Sequence, residues 1–568
     1  MKYSEFIVNG TLTTDSNVIA NKFNEYFTNI GPNLAKNIPG SCTSFRKFLT
    51  HNYINTFFVK SIEDDEIKKV VMSLKDGAPG IDCIPASVLK HTIDLISSPL
   101  SHVCQLSLSE GYFPSELKLA KIIPLYKAND PSLFNNYRPI SLLSVFSKIL
   151  EKIMYDRLYD YLVTLKILYE YQFGFQKSKS TYMALISLTD RLIAALEKGD
   201  VCVGLFIDFR KAFDTVNHEI LLDKLYFYGI RGVAHDWFRS YLSNRQQCVE
   251  YNNVTSNVLN MKCGVPKGSN LGPLLFLLYI NDLAYVSSEF FSILFADDSN
   301  FFCTGSNLNE VITVVNRELY LVVEWLNCNK MSLNIEKTHF MIFKPKRKIL
   351  DGNSDVLING CKINEVKSTK FLGVVIDCNL SWKQHIETVS SKISKNIGIL
   401  SKARSVFRTD ILQSLYYSFI YPYISYCIHV WGSTYKTYID KIVILQKRVV
   451  RLIAGVNRRT HSKPYFDSFC ILPVDKVYSY NIGLFMYKYH HGWLSQIFDM
   501  FKRNSEVHNY STRQIQLLHP PKPKTEFGKR SFRYQAVLIW NLVYHHLNVN
   551  IKIGTFKKNL KRYLLSTE

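Results

Sequence analysis

The sequence predicts an α+β fold, with a small sheet in the middle of the chain and helices towards its C-terminal end. Val201–Ile207 is an unbroken apolar run that ends at Asp208, which is typical of a buried strand. Phe291–Ala296 and Asn300–Cys303 indicate two further strands joined by an acidic turn. Residues 383–404 indicate a helix, because apolar side chains recur there on one stripe and the basic side chains lie largely off it.

The other elements follow from the same kinds of spacing. An N-terminal helix is indicated by four apolar residues at helical intervals, Ile19, Phe23, Phe27 and Ile30. The Gly- and Pro-rich loop Gly264–Gly272 opens a helix at Pro273, since proline is tolerated in a first turn. Further helices are predicted at 137–163, His218–Tyr228, His235–Leu242, 308–327 and 442–451. The last of these places Leu445, Val449 and Leu452 on one stripe. A further strand is predicted at Lys370–Ile376.

The chain is strongly basic. Its 568 residues include 69 Lys and Arg against 47 Asp and Glu, which gives a net charge of +22. Residues 501–568 hold thirteen of the basic residues and three of the acidic ones. An excess of this size indicates a polyanionic partner, most often nucleic acid, and a merely basic protein is the alternative. The apolar content of 47% excludes a globally disordered chain.

No segment indicates export or membrane insertion. The start of the chain has no apolar core of a signal peptide, and the longest apolar run, Pro273–Ile280, is far shorter than the ~20 residues that span a bilayer. The 12 cysteines are scattered and form no CxxC motif. We therefore expect an intracellular protein with reduced cysteines, no metal held by cysteine or histidine, and no membrane partner.

Three acidic residues follow predicted strands. Asp208 ends the buried strand, and Asp297 and Asp298 lie at the hairpin turn. A charge at the end of an apolar strand is costly unless it is paired or binds a cation, and carboxylates suit Mg²⁺. Two such ions would activate a hydroxyl and stabilise the leaving oxygen of an in-line displacement. The alternatives are a solvated turn at 297–298 and a helix cap at Asp208.

The order of these motifs resembles the reverse transcriptases of non-LTR retrotransposons (LINE-type elements, nearest the Jockey-like groups). Asp208–Asp214, Gly264–Pro273 and Phe295–Ser299 match the first three polymerase motifs, and Asn334–Thr338 and Lys370–Asp377 resemble the fourth and fifth. The resemblance covers nearly all of the chain. Other matching stretches are Ile19–Ala35, Lys75–Pro85, Lys121–Lys127, Asn136–Leu142, Gln172–Thr181, Leu415–Gly432 and the C-terminal tail.

The resemblance implies roles for individual residues. Asp208 and Asp297, assisted by Asp298, would hold two Mg²⁺ ions, with Mn²⁺ as a substitute, and Lys337 would protonate the departing pyrophosphate. Phe213 would lie under the incoming sugar and reject a 2′-hydroxyl. Nucleotide or template contacts are implied for Phe209, Phe213, Gly264, Pro266, Lys267, Gly268, Lys121, Lys127 and Arg138. The alternatives are a core ring at Phe213 and ordinary solvated charge at the lysines and the arginine.

Three residues depart from the family pattern. Gln176 stands where an arginine is usual, Lys267 where a glutamine is usual, and Asn270 where a small apolar residue is usual. All three are expected near the template or nucleotide surface, so they bear on the efficiency of polymerisation rather than on the class of binding.

The resemblance further implies a right-hand polymerase architecture. Its regions would be an N-terminal helical extension or linker at 1–60, fingers at 61–200, a palm at 201–380 with the reverse transcriptase core at about 118–376, a helical thumb at 381–470 and a basic, mainly helical C-terminal region at 471–568. The implied partners are an RNA template, a DNA primer or target, dNTPs, and element RNA in a ribonucleoprotein. The implied location is the nucleus and/or the cytoplasm. No endonuclease or RNase H motif is recognised, so neither activity is expected.

The sequence therefore predicts an RNA-directed DNA polymerase. Two rival hypotheses stay open. The first is a catalytically impaired, element-derived RNA-binding protein, which the high charge and the three departures would suit. The second is a splicing factor similar to group II intron maturases, against which the stretch Leu415–Gly432 and the tail argue.

Overall fold

A computed structural model describes residues 5–8, 10–39, 43–49, 53–346, 348–349, 355–507 and 514–567. Among these residues, every helix is too short or too polar to cross a membrane. The cysteines that the structure describes are all free thiols.

The N-terminal region is a hairpin followed by a long helix, β1 (Phe6–Val8), β2 (Thr11–Thr13) and α1 (Ser16–Lys36). The carboxylate of Asp15 caps α1 by accepting hydrogen bonds from the backbone N–H groups of Asn17 and Val18. The predicted apolar stripe of this helix is confirmed, because all four of its members are buried.

The next region is mainly helical around two strands. Its elements are α2 (Asp64–Ser73), α3 (Ala86–Ser109), β3 (Leu119–Tyr126), β4 (Tyr137–Leu142), α4 (Val145–Thr164) and α5 (Thr181–Glu197). The prediction of one helical segment over 137–163 was wrong at its start, where β4 pairs with β3 antiparallel. Pro139 lacks an N–H group and disfavours helical backbone in the residue before it, so the helix begins only at Val145.

The central region contains most of the strands. Its elements are β5 (Val201–Ile207), α6 (His218–Phe227), α7 (Val233–Leu242), β6 (Gln246–Tyr251), β7 (Val254–Thr255), β8 (Leu259–Asn260), α8 (Gly272–Ile280), β9 (Phe291–Phe295), β10 (Asp298–Gly305), α9 (Leu308–Cys328), β11 (His339–Phe343), β12 (Leu357–Ile358), β13 (Cys361–Lys362), β14 (Asn364–Glu365), β15 (Ser368–Phe371) and β16 (Val374–Asp377). The predicted buried strand, the hairpin and the helices of this region are confirmed. The single strand predicted at 370–376 was wrong: Leu372 and Gly373 both have positive φ and turn the chain into a hairpin of β15 and β16.

Five strands form the central sheet in the order β14, β11, β5, β10 and β9. Antiparallel pairing aligns Ser299 of β10 with Ile207 of β5. Asp208, which follows Ile207, therefore lies at the same edge of the sheet as the turn between β9 and β10. A second sheet contains β4, β3, β6 and β7, in which β3 and β6 are parallel.

The remaining chain is helical: α10 (Lys383–Ala403), α11 (Thr409–Phe419), α12 (Tyr421–Ser425), α13 (Ile428–Trp431), α14 (Lys436–Ala454), α15 (Lys463–Ser468), α16 (Val474–His490), α17 (Asn504–Val507), α18 (Phe532–His546) and α19 (Ile553–Ser566). The predicted helix at 383–404 is confirmed. The stripe predicted on α14 was shifted, because Leu445 and Leu452 are only partly buried and the buried face includes Ile442, Val449 and Ile453.

Two cores pack against opposite faces of the central sheet. Val203, Leu205 and Ile207 of β5 belong to one core, and Cys202 and Phe206 belong to the other. Side chains alternate along a strand, so a strand between two cores is apolar at every position. The second core extends from α5 through α10 to α19 without a break at residue 470.

Helix α5 joins the central sheet to the C-terminal helices. It contacts β5 and β9 of the sheet as well as α13 and α18. The carboxylate of Asp190 accepts hydrogen bonds from the backbone N–H groups of Phe532 at 2.8 Å and Arg533 at 3.1 Å. Glu197 accepts one from the hydroxyl of Thr525 at 3.0 Å. These contacts join the start of α18 and the segment before it to α5.

Candidate active site

The three acidic residues lie together in one cleft. Asp208 follows β5, Asp297 lies in the turn between β9 and β10, and Asp298 is the first residue of β10, paired with Phe295. All three line a cleft of about 1310 Å³. The sheet register thus brings together side chains that are 89 residues apart in the sequence.

Asp208 is held by the segment that follows α9. The side-chain amide of Asn334 donates to Oδ2 of Asp208 at 2.9 Å, and the backbone N–H of Asn334 donates to the carbonyl of Asp208 at 2.9 Å. The hydroxyl of Thr338 accepts from the backbone N–H of Asp208 at 3.4 Å. The fourth motif therefore orients the first carboxylate. Sequence reasoning noted this motif but assigned no role to its asparagine.

A buried glutamine holds the turn that carries Asp297. The side-chain carbonyl of Gln172 accepts from the backbone N–H groups of Gly174 at 2.9 Å and Ala296 at 3.0 Å. Ala296 has a φ of 54°, a conformation that is uncommon for a residue with a side chain. A β-carbon at Gly174 would overlap the backbone of Ala296, so glycine is required for this contact. Sequence reasoning did not single out Gln172.

The cleft disfavours negative charge on the acidic pair. Desolvation by the cleft wall, followed by repulsion from Asp208, raises the pKa of Asp297 above 3.8. Desolvation, followed by repulsion from Asp297 and Asp208, raises the pKa of Asp298 to about 6. Both side chains are exposed to the cleft, so a ligand there can reach them. A bound cation would relieve this repulsion.

The donor set fits a hard divalent ion. Three carboxylates at one sheet edge supply the oxygen ligands that Mg²⁺ or Mn²⁺ prefers. Within the described residues, however, no three His, Cys, Asp or Glu side chains are gathered closely enough to form a complete metal site. Mg²⁺ is usually bound by one or two carboxylates with substrate phosphates and water, so such a partial set is adequate.

The pKa of Asp298 predicts a pH effect on stability. Because its folded-state pKa of about 6 lies above 3.8, the folded protein binds this proton more tightly than the unfolded chain does. The contribution of Asp298 to stability should therefore fall as the pH rises from about 4 to about 6 without divalent ions, and Asp298→Asn should remove that contribution from the slope. Thermal unfolding in EDTA at several pH values tests this. Burial also raises the pKa of Asp190 to about 6. Asp190 is present in both proteins, so its contribution cancels in the comparison. Equal slopes would contradict the prediction.

Aromatic rings form one surface of the cleft. Phe213 is half-buried and stacks on Phe276 with ring centroids 4.3 Å apart. The rings of Phe175 and Phe213 pack edge to face, with their centroids 6.0 Å apart. Phe209 also lines the cleft but is 7% exposed. Phe213 thus combines core contacts with an exposed part that lines the cleft, while Phe209 is mainly a core residue.

Basic side chains line the cleft beside the carboxylates. Lys127, Arg138 and Lys337 all contribute to its wall. Desolvation, with repulsion from Arg138 and Lys337, lowers the pKa of Lys127. Such a concentration of positive charge suits an anionic ligand. Lys121 does not line the cleft, because it points to the neighbouring strand and pairs with Glu250 at 3.1 Å.

The glycine- and proline-rich loop packs mainly against the chain itself. Gly264 has a φ of +85°, and a β-carbon there would lie 3.0 Å from the carbonyl oxygen of Asp214. Gly268 has a φ of +131° and packs against the backbone of Ser141. Pro266 is buried, and Lys267 alone of these four lines the cleft. Contacts of the other three with a nucleotide remain predictions.

The three unusual residues each have partners in the fold. Lys267 pairs with Asp214 at 2.5 Å. The backbone N–H of Asn270 donates to Glu151 at 2.7 Å, and its side chain donates to the carbonyl of Lys148 at 3.0 Å. Gln176 donates to the carbonyl of Gln172 at 2.6 Å. The fold therefore accommodates all three departures without unpaired polar groups at these contacts.

Replacing Asn334 with alanine should lower the rate of the nucleotide incorporation that the motifs predict by roughly 10- to 100-fold, because residues that orient metal ligands typically contribute this much. The concentration of Mg²⁺ that gives half-maximal activity should rise, since Asp208 would lose its side-chain donor. A titration of activity against Mg²⁺ measures both effects. Asn309→Ala is the control, because Asn309 is exposed on α9 outside the cleft. An Mg²⁺ dependence like that of the wild type would contradict the prediction.

The chain is similar to known proteins over most of its length. A family profile described as reverse transcriptase (RNA-dependent DNA polymerase) matches residues 126–376. The chain is 28% identical over 413 residues to a probable RNA-directed DNA polymerase from transposon BS of Drosophila melanogaster, covering 70% of this chain and 45% of that protein. It is 26% identical over 455 residues to the RNA-directed DNA polymerase from mobile element jockey of the same species, covering 77% and 48%. The chain thus spans about half the length of these curated relatives. Residues 126–376 therefore carry a reverse transcriptase domain, and the chain is similar to the RNA-directed DNA polymerases of jockey-like non-LTR retrotransposons, as its motifs predict.

Proposed function

We propose that this chain is an RNA-directed DNA polymerase that adds deoxynucleotides to a primer 3′-hydroxyl on an RNA template. The observation that carries the proposal is the meeting of Asp208, Asp297 and Asp298 in one cleft that basic side chains also line. Carboxylates beside cations match a substrate that brings both a metal ion and a triphosphate.

Each side chain has a task in the proposed reaction. Asp208 and Asp297, assisted by Asp298, would hold two Mg²⁺ ions, which would lower the pKa of the primer hydroxyl and stabilise the leaving oxygen. Lys127 and Arg138 bind the triphosphate. Lys337, exposed at the cleft, donates a proton to the departing pyrophosphate. The exposed part of Phe213 lies under the incoming sugar and leaves no room for a 2′-hydroxyl.

The proposed architecture is a right hand. The palm is residues 201–380, which contain the central sheet, the fingers are residues 61–200, from α2 to α5, and the thumb is residues 381–470, from α10 to α15. Exposed basic residues of the thumb, such as Lys402, Lys447 and Arg448, contact phosphates without reading sequence. The proposed partners are an RNA template, a DNA primer or target, dNTPs and the element RNA.

Primer extension tests the proposal directly. The full chain with oligo(dT) on poly(rA) and Mg²⁺ should incorporate dTTP, EDTA should abolish incorporation, and added Mn²⁺ should restore at least part of it. Binding of the same primer–template, measured in parallel, is the control for a folded protein. Binding without any incorporation would contradict the proposal and favour the RNA-binding hypothesis. Rescue of group II intron splicing would favour the maturase hypothesis.

A further inference from the structure

The N-terminal helix α1 forms part of the wall of the catalytic cleft. Tyr26, Asn29 and Asn33 of this helix line the same cleft as Asp208 and Phe213. The sequence predicts for this region only an extension or linker, so no chemical role was assigned to these side chains.

Helix α1 is a fixed wall rather than a mobile cover. The ring of Phe23 contacts that of Phe134 with centroids 4.7 Å apart. The buried side chain of Asn24 donates to the carbonyl of Asn257 at 2.7 Å and accepts from Gln247 at 2.9 Å. A β-carbon at Gly31 would overlap the carbonyl oxygen of Asp214, so the helix lies directly against the first polymerase motif.

The three side chains share one face of the helix and are available to a ligand. They are spaced three and four residues apart, which places them above one another on the helix surface. Asn29 and Asn33 are exposed, and Tyr26 is half-buried. In the part of the chain that the structure describes, none of the three has a side-chain hydrogen bond to another residue.

The α1 wall differs in chemistry from the rest of the cleft. Its two charged residues, Lys22 and Glu25, pair with each other at 2.6 Å. The groups that remain are two amides and a phenol, which are uncharged donors and acceptors. Phosphates are bound mainly by cations, which other parts of the cleft supply, whereas sugar hydroxyls and base edges are recognised by groups of this uncharged kind.

We propose that Tyr26, Asn29 and Asn33 form a subsite for the sugar and base edges of nucleotides held in the cleft. This inference rests on the proposed function, because it assumes that nucleic acid and dNTP occupy the cleft. The template strand and the incoming nucleotide present the same chemistry, and the two arms of the experiment distinguish them.

The first arm measures equilibrium binding of a fluorescent primer–template in EDTA, so it needs no catalysis. Asn29→Ala/Asn33→Ala should raise the Kd for an RNA template roughly tenfold, as expected for two lost hydrogen bonds. The slope of log Kd against log salt should not change, because no phosphate contact is lost. Asn17→Ala is the matched control, since Asn17 is exposed on the same helix outside the cleft.

The second arm measures dTTP binding to the complex of the protein with a primer–template whose primer ends in a dideoxynucleotide. The readout is the extent to which dTTP protects this complex from displacement by competitor nucleic acid. Weaker dTTP binding with an unchanged primer–template Kd would assign the subsite to the incoming nucleotide. A raised Kd that is larger for RNA than for DNA templates would assign it to the template. Wild-type affinities in both arms, or weaker binding with a shallower salt slope, would overturn the inference. Wild-type protein that binds but does not extend would contradict the proposed polymerase, not this subsite.

Discussion

Asp297→Asn is expected to reduce nucleotide incorporation by about 1,000-fold or more, because it removes a charge from the proposed metal site. The same change should leave the melting temperature unchanged or raise it. The pKa of Asp297 lies above its ordinary value, so the folded protein disfavours its negative charge. A neutral amide of the same shape removes the repulsion from Asp208 and Asp298. Activity and stability should thus move independently or in opposite directions, as at many functional sites.

Incorporation of labelled dTTP and thermal unfolding measure the two effects. The control is Asp410→Asn, since Asp410 is exposed on α11, 3.8 Å from Arg408, and does not line the cleft. That variant should retain wild-type incorporation. Incorporation by Asp297→Asn at more than about a tenth of the wild-type rate would exclude Asp297 as an essential metal ligand.

Lys224→Met is expected to destabilise the protein by about 3–5 kcal/mol, the usual cost of breaking a buried ion pair. The ammonium of Lys224 is fully buried and lies 2.6 Å from Oδ1 of Asp282 and 2.6 Å from the carbonyl of Tyr279. The other oxygen of Asp282 accepts from the indole N–H of Trp325 at 2.9 Å. Without the lysine, a buried carboxylate would lose its countercharge.

Urea unfolding followed by tryptophan fluorescence measures this loss. Lys441→Met is the control, because Lys441 and Glu387 are 47% exposed and pair at 3.4 Å, and such surface pairs contribute at most about 1 kcal/mol. Adding Asp282→Leu to Lys224→Met should restore part of the stability, since it removes the unpaired charge. A loss no larger than that of the control would show that the buried pair contributes little.

The parts of the site that depend on local pattern could be predicted from the sequence. The strand before Asp208 is apolar at each position because two cores enclose it, and that run is visible in the sequence. The turn at 296–297 and the helix that opens at Pro273 follow from their neighbouring residues in the same way. The family motifs then supplied roles for these residues that no spacing alone could give.

The parts that depend on contacts between distant residues could not be predicted. The hydrogen bond from Asn334 to Asp208 and the support of the turn by Gln172 join segments more than 100 residues apart. Lys121 lies in a stretch that resembles the family motifs, yet it pairs with Glu250 of the parallel strand β6 and does not line the cleft. The place of α1 beside the cleft likewise follows from its packing and not from its own apolar stripe.

The position of α5 between the sheet and the C-terminal helices has a consequence for any shortened form of this protein. Leu185, Ile186 and Leu188 of this helix are fully buried, and part of that burial comes from α13 and α18. A polypeptide that ends at residue 376 would lack both helices and would expose a continuous apolar surface. We expect such a fragment to self-associate, because it lacks the nearly two hundred residues that follow and help to cover this surface.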